Sequence, residues 1–149
     1  MKIYNESRLH PHTTMIEPAK KVAKHSRKKE KGRWGEQFAT DILQQRGYTI
    51  LAHNVHSRYG EIDIIAKDDN EIVFVEVKLR TNTAFGTPEE SITKAKKQRI
   101  LNTIWDYLDK TIALEQKETQ NWRCDLFVIE MTEQTTVKRY AIYRNFIGG

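Results

Sequence analysis

Apolar residues recur along the chain at two different spacings, one typical of helices and the other of strands. In residues 31–48 they fall at intervals of three and four, which places them on one face of a helix. Gly47 follows the cation Arg46 at the position where a helix usually ends. The apolar positions of this first helix are Trp34, Phe38, Ala39, Ile42 and Leu43.

Shorter apolar runs follow, and most of them have the composition of strands. The turn at 68–70 joins the second and third runs into an antiparallel hairpin. A loop over 80–91 leads into a second helix, which we expect to begin near Pro88 or Ser91. The order of helix, three strands, helix and two strands predicts an α/β fold. The predicted strands are 48–56, 59–67, 71–79, 122–131 and 136–147.

Basic residues are concentrated at the start of the chain. Residues 1–33 hold ten Lys or Arg and three Asp or Glu, whereas the remaining 116 residues hold 15 and 17. Apolar residues in this segment are sparse and without period, so we expect 1–29 to be a flexible, disordered tail and 30–149 a single domain. A basic arm is typical of nucleic-acid contact, and a merely solubilising tail is the alternative.

Composition excludes several other classes of protein. With one cysteine, Cys124, the chain has neither a disulfide framework nor a cysteine-based zinc site. No run approaches the ~20 apolar residues that span a bilayer, and no apolar stretch follows Lys2 as in a secretory signal. We therefore expect a cytoplasmic protein without a membrane partner.

Charged and apolar residues alternate on both strands of the predicted hairpin. Ile62 and Ile64 are expected on one face, because residues two apart in a strand share a face. Counted from the turn at 68–70, Asp63 and Glu76 lie nearly opposite each other, within ~5 Å. The charged face is expected to carry Glu61, Asp63, Glu76 and Lys78.

Two adjacent carboxylates raise each other's pKa and need a compensating charge. Mg²⁺ (or Mn²⁺) could supply it, since it favours one or two carboxylates plus water and phosphate oxygens, and Lys78 could supply it as well. Such a metal polarises a phosphoryl oxygen and lowers the pKa of a bound water, while a lysine positions that water or balances the developing charge. Glu36, about 200° around the first helix from Trp34, could add a third carboxylate. The alternative is an ordinary solvated strand face.

Other residues are candidates for supporting roles. A basic run near the acidic strands could contact phosphates, or could be a solvated helix face. The loop 81–87 could cover or admit a substrate, with Phe85 stacking on a base or packing against the second helix. Asp125 is expected to hold a nearby lysine or arginine. The three tryptophans, Trp34, Trp105 and Trp122, are predicted to lie in the core. The candidate phosphate contacts are Arg80, Lys94, Lys96, Lys97 and Arg99.

The order of these acidic residues and lysine resembles the PD-(D/E)xK nuclease superfamily. That resemblance implies a restriction-endonuclease-like αβββαβ core, with a mixed central sheet flanked by helices. Ile62 stands where the superfamily's motif has proline. A metal site at Asp63, Glu76 and the Val77 carbonyl is implied as well, with Lys78 as the catalytic lysine and Glu36 in support.

More narrowly, the chain from about Lys31 onwards is similar to the YraN-like family of uncharacterised bacterial proteins, which itself resembles archaeal Holliday-junction resolvases. The matching segments are GRWGEQFA, RGYTIL, GEIDIIA, VFVEVKLR, FGTPEESI, Lys96 and Arg123-Cys124-Asp125. Our leading hypothesis is a metal-dependent endonuclease that hydrolyses DNA, branched or damaged DNA included, with water as nucleophile. A homodimer would provide two active sites. The alternative is a non-catalytic nucleic-acid-binding module of a DNA-processing complex.

Overall fold

The computed structural model describes residues 2–4, 28–81, 87, 90–133 and 136–147. Its helices are α1 (Lys28–Gln45) and α2 (Lys94–Thr111), with a 3-10 turn at Leu114–Gln116. Its strands are β1 (Lys2–Tyr4), β2 (Thr49–His56), β3 (Glu61–Asp68), β4 (Glu71–Arg80), β5 (Trp122–Met131) and β6 (Val137–Arg144). Most of the predicted tail, residues 5–27, lies outside the described residues, so its disorder stays a prediction.

The strands form one mixed sheet in the order β1-β6-β5-β4-β3-β2. β4 and β5 pair in parallel, and the other neighbours pair antiparallel. The parallel pair requires a crossover, which α2 provides between β4 and β5. From α1 onwards the order is αβββαβ followed by β6, so the predicted α/β class and element order are confirmed.

Each face of the sheet is covered by a helix, which corrects the expected charged face. The α1 side holds Ala39 and Leu43, and the α2 side holds Ile100, Ile104 and Leu108. Burial on both faces explains why β4 is buried without interruption over residues 72–76. The central carboxylates therefore lie inside the protein and not on a solvated strand face.

The prediction that Ile62 and Ile64 share a face is wrong. Ile62 packs with the α2 cluster and Ile64 with the α1 cluster. His53 pairs with Ile64 and Val55 with Ile62 in one register, and Asn54 between them has φ of 49°. The two-residue alternation of β3 is interrupted between Ile62 and Ile64, at Asp63.

The helix ends follow from local chemistry. Gly47 has φ of 90° and donates to the Gln44 carbonyl, and Tyr48 donates to the Leu43 carbonyl, which confirms Gly47 as the end signal of α1. The second helix begins later than predicted, because the Thr93 side chain accepts a hydrogen bond from the Lys96 amide and so caps it. At the other end of the chain, β6 stops at Arg144, short of the expected residue 147.

At Gly35, α1 packs closely against the sheet. A Cβ at this position would lie 2.2 Å from Leu79 Cδ1 and 3.6 Å from Ile129 Cδ1. At Gly32, one turn earlier, a Cβ would meet nothing within 4 Å. The absence of a side chain at Gly35 thus lets α1 bring Glu36 close to the end of β4.

Replacing these two glycines by alanine should have different effects on stability. Both changes remove the penalty of a helical glycine, but only Gly35→Ala displaces Leu79. We expect Gly35→Ala to be less stable than Gly32→Ala by about 1–3 kcal/mol, the usual cost of overpacking. Urea unfolding of the two variants measures the difference. Equal stabilities would contradict the close approach of α1 to the sheet.

Candidate active site

The candidate site lies where β3 and β4 separate. Their ladder runs from Asp68 opposite Glu71 to Ile64 opposite Val75 and ends there, while β4 continues to Arg80 alongside β5. Asp63 and Glu76 would form the next pair, as the sequence predicts. Instead, Asp63 Oδ2 accepts a hydrogen bond from the Val77 amide at 2.8 Å. A carboxylate thus takes the place of a strand carbonyl, and a gap opens beside β4.

The two carboxylates in this gap are buried, with Asp63 and Glu76 each 8% exposed. Burial, and next the charge of Glu76, raise the pKa of Asp63 from its ordinary 3.8 to about 8, against the Val77 hydrogen bond. Glu36 and Glu61 raise it further. Burial raises the pKa of Glu76 as well. Coupled groups titrate as a pair, and this pair retains a proton at neutral pH.

Lys96 supplies a positive charge beside the pair. Its Nζ lies 3.4 Å from Glu76 Oε1, and its charge opposes the rise in the pKa of Glu76. The other oxygen, Glu76 Oε2, is buried and has no hydrogen-bond partner among the described residues. A buried carboxylate oxygen without a partner is costly, so this atom calls for a donor or a cation.

A cavity of about 620 Å³ opens in front of Glu76. It lies between the start of α1, the end of β4 and the start of α2. Among the described residues its charged lining is one acid and four bases, namely Glu76 with Lys31, Lys78, Arg80 and Lys96. Such a lining draws in an anion and directs it towards the carboxylates. Lys78 has no ion-pair partner in the part of the chain that the structure describes.

The donor set fits a magnesium ion better than a closed metal cage. Among the described residues, no group of three or more His, Cys, Asp and Glu side chains could hold a metal ion. Mg²⁺ commonly takes only one or two carboxylates, and water and phosphate oxygens complete its shell. Asp63 and Glu76 provide two carboxylates of this kind, and Glu76 Oε2 has no hydrogen-bond partner among the described residues.

Comparison with known proteins identifies the family. The sequence profile of "Uncharacterised protein family UPF0102" matches residues 35–129, which include α1 from Gly35 and most of β5. The chain belongs to the UPF0102 family. The matched range contains every sequence-predicted catalytic residue, from Glu36 to Lys78.

Curated relatives are similar over most of the chain. A UPF0102 protein of Herpetosiphon aurantiacus is 40% identical over 105 residues, covering 70% of this chain and 85% of its own. One from Caldicellulosiruptor saccharolyticus is 38% identical over 120 residues, covering 79% and 97%. One from Dichelobacter nodosus is 49% identical over 86 residues, covering 58% and 68%.

A solved structure, that of Pyrococcus furiosus SfsA in complex with Ca²⁺, is distantly similar. Its TM-score is 0.39 and its sequence identity 12%, over 75% of this chain and 63% of that one. Neither described helix of this UPF0102 member is long and apolar enough to cross a membrane.

Of the five predicted phosphate contacts, the structure brings two to the cavity. Arg80 and Lys96 line it, and Lys94, Lys97 and Arg99 do not. Arg99 lies instead beside Gly60. A Cβ placed on Gly60 would be 3.5 Å from the Cβ of Arg99. α2 turns by 100° per residue, so a run of neighbouring lysines cannot face one cavity.

Two features of the site were not expected as such. Lys31 was counted only in the basic segment 1–33 and was not predicted as a site residue, but it lines the cavity at the start of α1. Lys96 was predicted to contact phosphate, but it contacts Glu76. The sequence holds no signal for the second contact, which depends on how α2 crosses the sheet. The predicted loop residue Phe85 lies outside the described residues.

The stability of this UPF0102 protein should depend on pH through Asp63. Because its folded pKa is near 8 and its ordinary pKa is 3.8, the folded state binds a proton more tightly than the unfolded chain. The free energy of unfolding without metal therefore falls as the pH rises through that window. We expect Asp63→Asn, which retains an acceptor for Val77, to raise Tm by several degrees at pH 8.5 and little at pH 4.5.

Thermal unfolding in EDTA at both pH values measures this difference. Asp41→Asn is the matched control, since Asp41 is exposed on α1 and accepts a hydrogen bond from Gln37. Mg²⁺ should raise the Tm of the wild type at pH 8.5 and have little effect on Asp63→Asn. A pH-independent gap between wild type and Asp63→Asn would contradict the raised pKa.

Proposed function

We propose that this protein is a Mg²⁺-dependent endonuclease that hydrolyses phosphodiester bonds in DNA. The observation that carries the proposal is the pair of buried carboxylates at the place where β3 and β4 separate. Asp63 and Glu76 are each 8% exposed, and Glu76 lines a cavity whose described lining includes four basic side chains. Their order along the chain, with Lys78 two residues after Glu76, is that of the PD-(D/E)xK superfamily.

In this proposal Asp63, Glu76 and the Val77 carbonyl hold the metal. The metal, when bound, polarises the phosphoryl oxygen and lowers the pKa of a water. Lys78 orients the attacking water and offsets the negative charge that develops on the phosphate. Arg80 and Lys31 bind the flanking phosphates along the cavity wall. Glu36 adds negative charge near Asp63 from α1, which strengthens the attraction of the site for a cation.

Lys96 has a role of its own in the proposal. Without metal its ammonium group partly neutralises Glu76 at 3.4 Å. With DNA and metal present, a flexible lysine is free to exchange this contact for a substrate phosphate. The same ion pair also favours a second function, a nucleic-acid-binding module without turnover, because a carboxylate already paired with lysine has less need of a metal.

The substrate is proposed to be DNA whose geometry departs from a continuous duplex, such as branched or damaged DNA. Cleavage of both strands of a junction requires two active sites, so the proposal includes a homodimer. Sedimentation velocity of the protein, alone and with a four-way junction, measures the number of copies bound.

A cleavage assay separates the two functions. Linear duplex, single-stranded, flapped and four-way-junction DNA are incubated at low salt with Mg²⁺, Mn²⁺ or EDTA, since phosphate contacts weaken steeply with salt. We expect cleavage that requires metal and disappears in Asp63→Asn and Glu76→Gln. Asp41→Asn, an equivalent change on the exposed side of α1, should cleave like wild type.

Gel-shift measurements in EDTA accompany the assay. If the acidic variants bind DNA at least as well as wild type but do not cleave it, the carboxylates act in chemistry. If wild type binds every substrate and cleaves none with either metal, the protein is a binding module and the proposed nuclease is wrong.

A further inference from the structure

A second cavity lies on the outer side of α2, away from the carboxylate pair. Its volume is about 320 Å³, and it is formed by the β2–β3 turn and one face of the helix. Trp105, predicted as a core residue, is instead 51% exposed here. The residues around the cavity are Arg58, Tyr59, Asn102, Trp105, Asp106 and Asp109.

The walls of this cavity are held in place by specific contacts. Ser57 Oγ lies 3.0 Å from Thr103 Oγ1 and accepts a hydrogen bond from the Tyr59 amide at 3.0 Å, which ties the turn to α2. On the helix side, the Trp105 ring packs edge-on against Trp122 with centroids 5.5 Å apart. The Trp105 ring is therefore held at an accessible surface, which lowers the entropic cost of stacking a ligand on it.

The charges around the cavity favour a neutral aromatic ligand with amino groups over a phosphate. Asp106 and Asp109 each form an ion pair with a lysine, at 2.8 and 2.7 Å. Their oxygens remain acceptors for exocyclic amines but repel a phosphate. Arg58 lies over the Tyr59 ring at 4.8 Å from its centroid, which adds a cation to the stack.

The cavity is close enough to the carboxylates to act on the same strand of DNA. Tyr59 precedes Asp63 by four residues, at most about 14 Å of extended chain. Along α2, Trp105 follows Lys96 by nine residues, which is about 13.5 Å along the axis and half a turn around it. One strand of B-DNA advances ~3.4 Å per nucleotide, so about four nucleotides cover the axial distance and the passage around α2 requires more. Arg99, on the exposed side of α2, lies between the two places.

We propose that this cavity binds one unpaired nucleobase of the DNA strand that the carboxylate site acts on. The base stacks on Trp105 and Tyr59. At its edge Asn102 donates or accepts hydrogen bonds, and Asp106 accepts them. A base pair in a duplex cannot enter, because its faces are already stacked. The cavity thus selects DNA with single-stranded character near the cut. This choice of substrate rests on the proposed nuclease, whereas the base site itself does not.

The test measures binding without cleavage. A fluorescein-labelled 20-nucleotide single strand is titrated in EDTA and followed by anisotropy, beside a strand of equal length that carries abasic residues. Base–aromatic stacking implies a loss of about 5- to 100-fold in affinity for the abasic strand and for Trp105→Leu. Trp105→Phe should recover most of the affinity, because it keeps an aromatic face and contact with Trp122. Leu114→Ala, at an 84% exposed apolar residue outside the cavity, should bind like wild type.

Each outcome separates the base site from the nuclease. Equal affinities for the natural and abasic strands, or for wild type and Trp105→Leu, overturn the base site even if DNA is cleaved. Loss of binding in Trp105→Leu without any cleavage by wild type keeps the base site and overturns the nuclease. Binding of free dCMP as tight as that of the strand would show a nucleotide site and overturn the proposal. Circular dichroism of each variant verifies folding, and Trp105→Phe keeps the test valid if Trp105→Leu fails to fold.

Discussion

Replacing Lys78 by alanine is expected to lower kcat for DNA cleavage by about 10²–10³-fold, with little change in affinity for DNA. Lys78 lines the cavity beside Glu76 and has no ion pair among the described residues, so its charge is available to the substrate. Its contribution is greatest when the phosphate gains negative charge, which places the loss in kcat and not in KM. Initial rates over a range of DNA concentrations, at saturating Mg²⁺, measure both constants.

Lys94→Ala is the matched control for this prediction. Lys94 is exposed at the start of α2 and does not line the cavity. Its loss should weaken binding slightly and lower the salt dependence by up to about one phosphate contact, with kcat unchanged. Lys78→Arg tests geometry separately, because a planar guanidinium does not replace a compact ammonium that orients water. Full kcat in Lys78→Ala would remove lysine chemistry from the proposed mechanism.

The sequence predicts the fold in so far as local pattern decides it. The apolar spacing of α1, the Gly47 end signal and the hairpin register around residues 68–70 depend on near neighbours, and the structure agrees with them. The start of α2 was misplaced, because the expected start signals were Pro88 and Ser91, whereas the residue that caps the helix is Thr93. The faces of the sheet that the helices cover are decided by long-range packing. The alternation of charged and apolar residues along the strands therefore wrongly predicted that one face of the sheet is exposed.

The sequence predicts the candidate site only as far as the register of the hairpin decides it. Two carboxylates opposite each other follow from register, but the separation of β3 from β4 and the hydrogen bond to Val77 do not. The contact of Lys96 with Glu76 depends on how α2 crosses the sheet, which no spacing in the sequence specifies. Trp105 shows the same limit: it lies 100° from the buried Ile104, at the margin of the covered face, and half of it is exposed.

At the end of the sheet opposite the candidate site, Arg123 joins the strands through buried charges. Its Nε lies 3.2 and 3.0 Å from the two carboxylate oxygens of Asp125, and its terminal nitrogens donate to Glu71, Tyr48 and Asp68. Asp125 is 1% exposed and also accepts a hydrogen bond from the Asn145 amide at 2.9 Å. The expected pairing of Asp125 with a cation is therefore confirmed. Because Asp125 lies at the opposite end of the sheet from the cavity, we assign it a role in stability.

Arg123→Ala is expected to lower the free energy of unfolding by about 3–5 kcal/mol, because it leaves the Asp125 charge buried without compensation. Urea unfolding measures the change. Lys117→Ala breaks an ion pair with Asp109, whose side chain is 68% exposed, so it should cost less than about 1 kcal/mol. The double variant Arg123→Met, Asp125→Leu should regain much of the loss, since neither member of this buried pair then carries a charge. Equal costs for Arg123→Ala and Lys117→Ala would show that burial does not set the strength of this network.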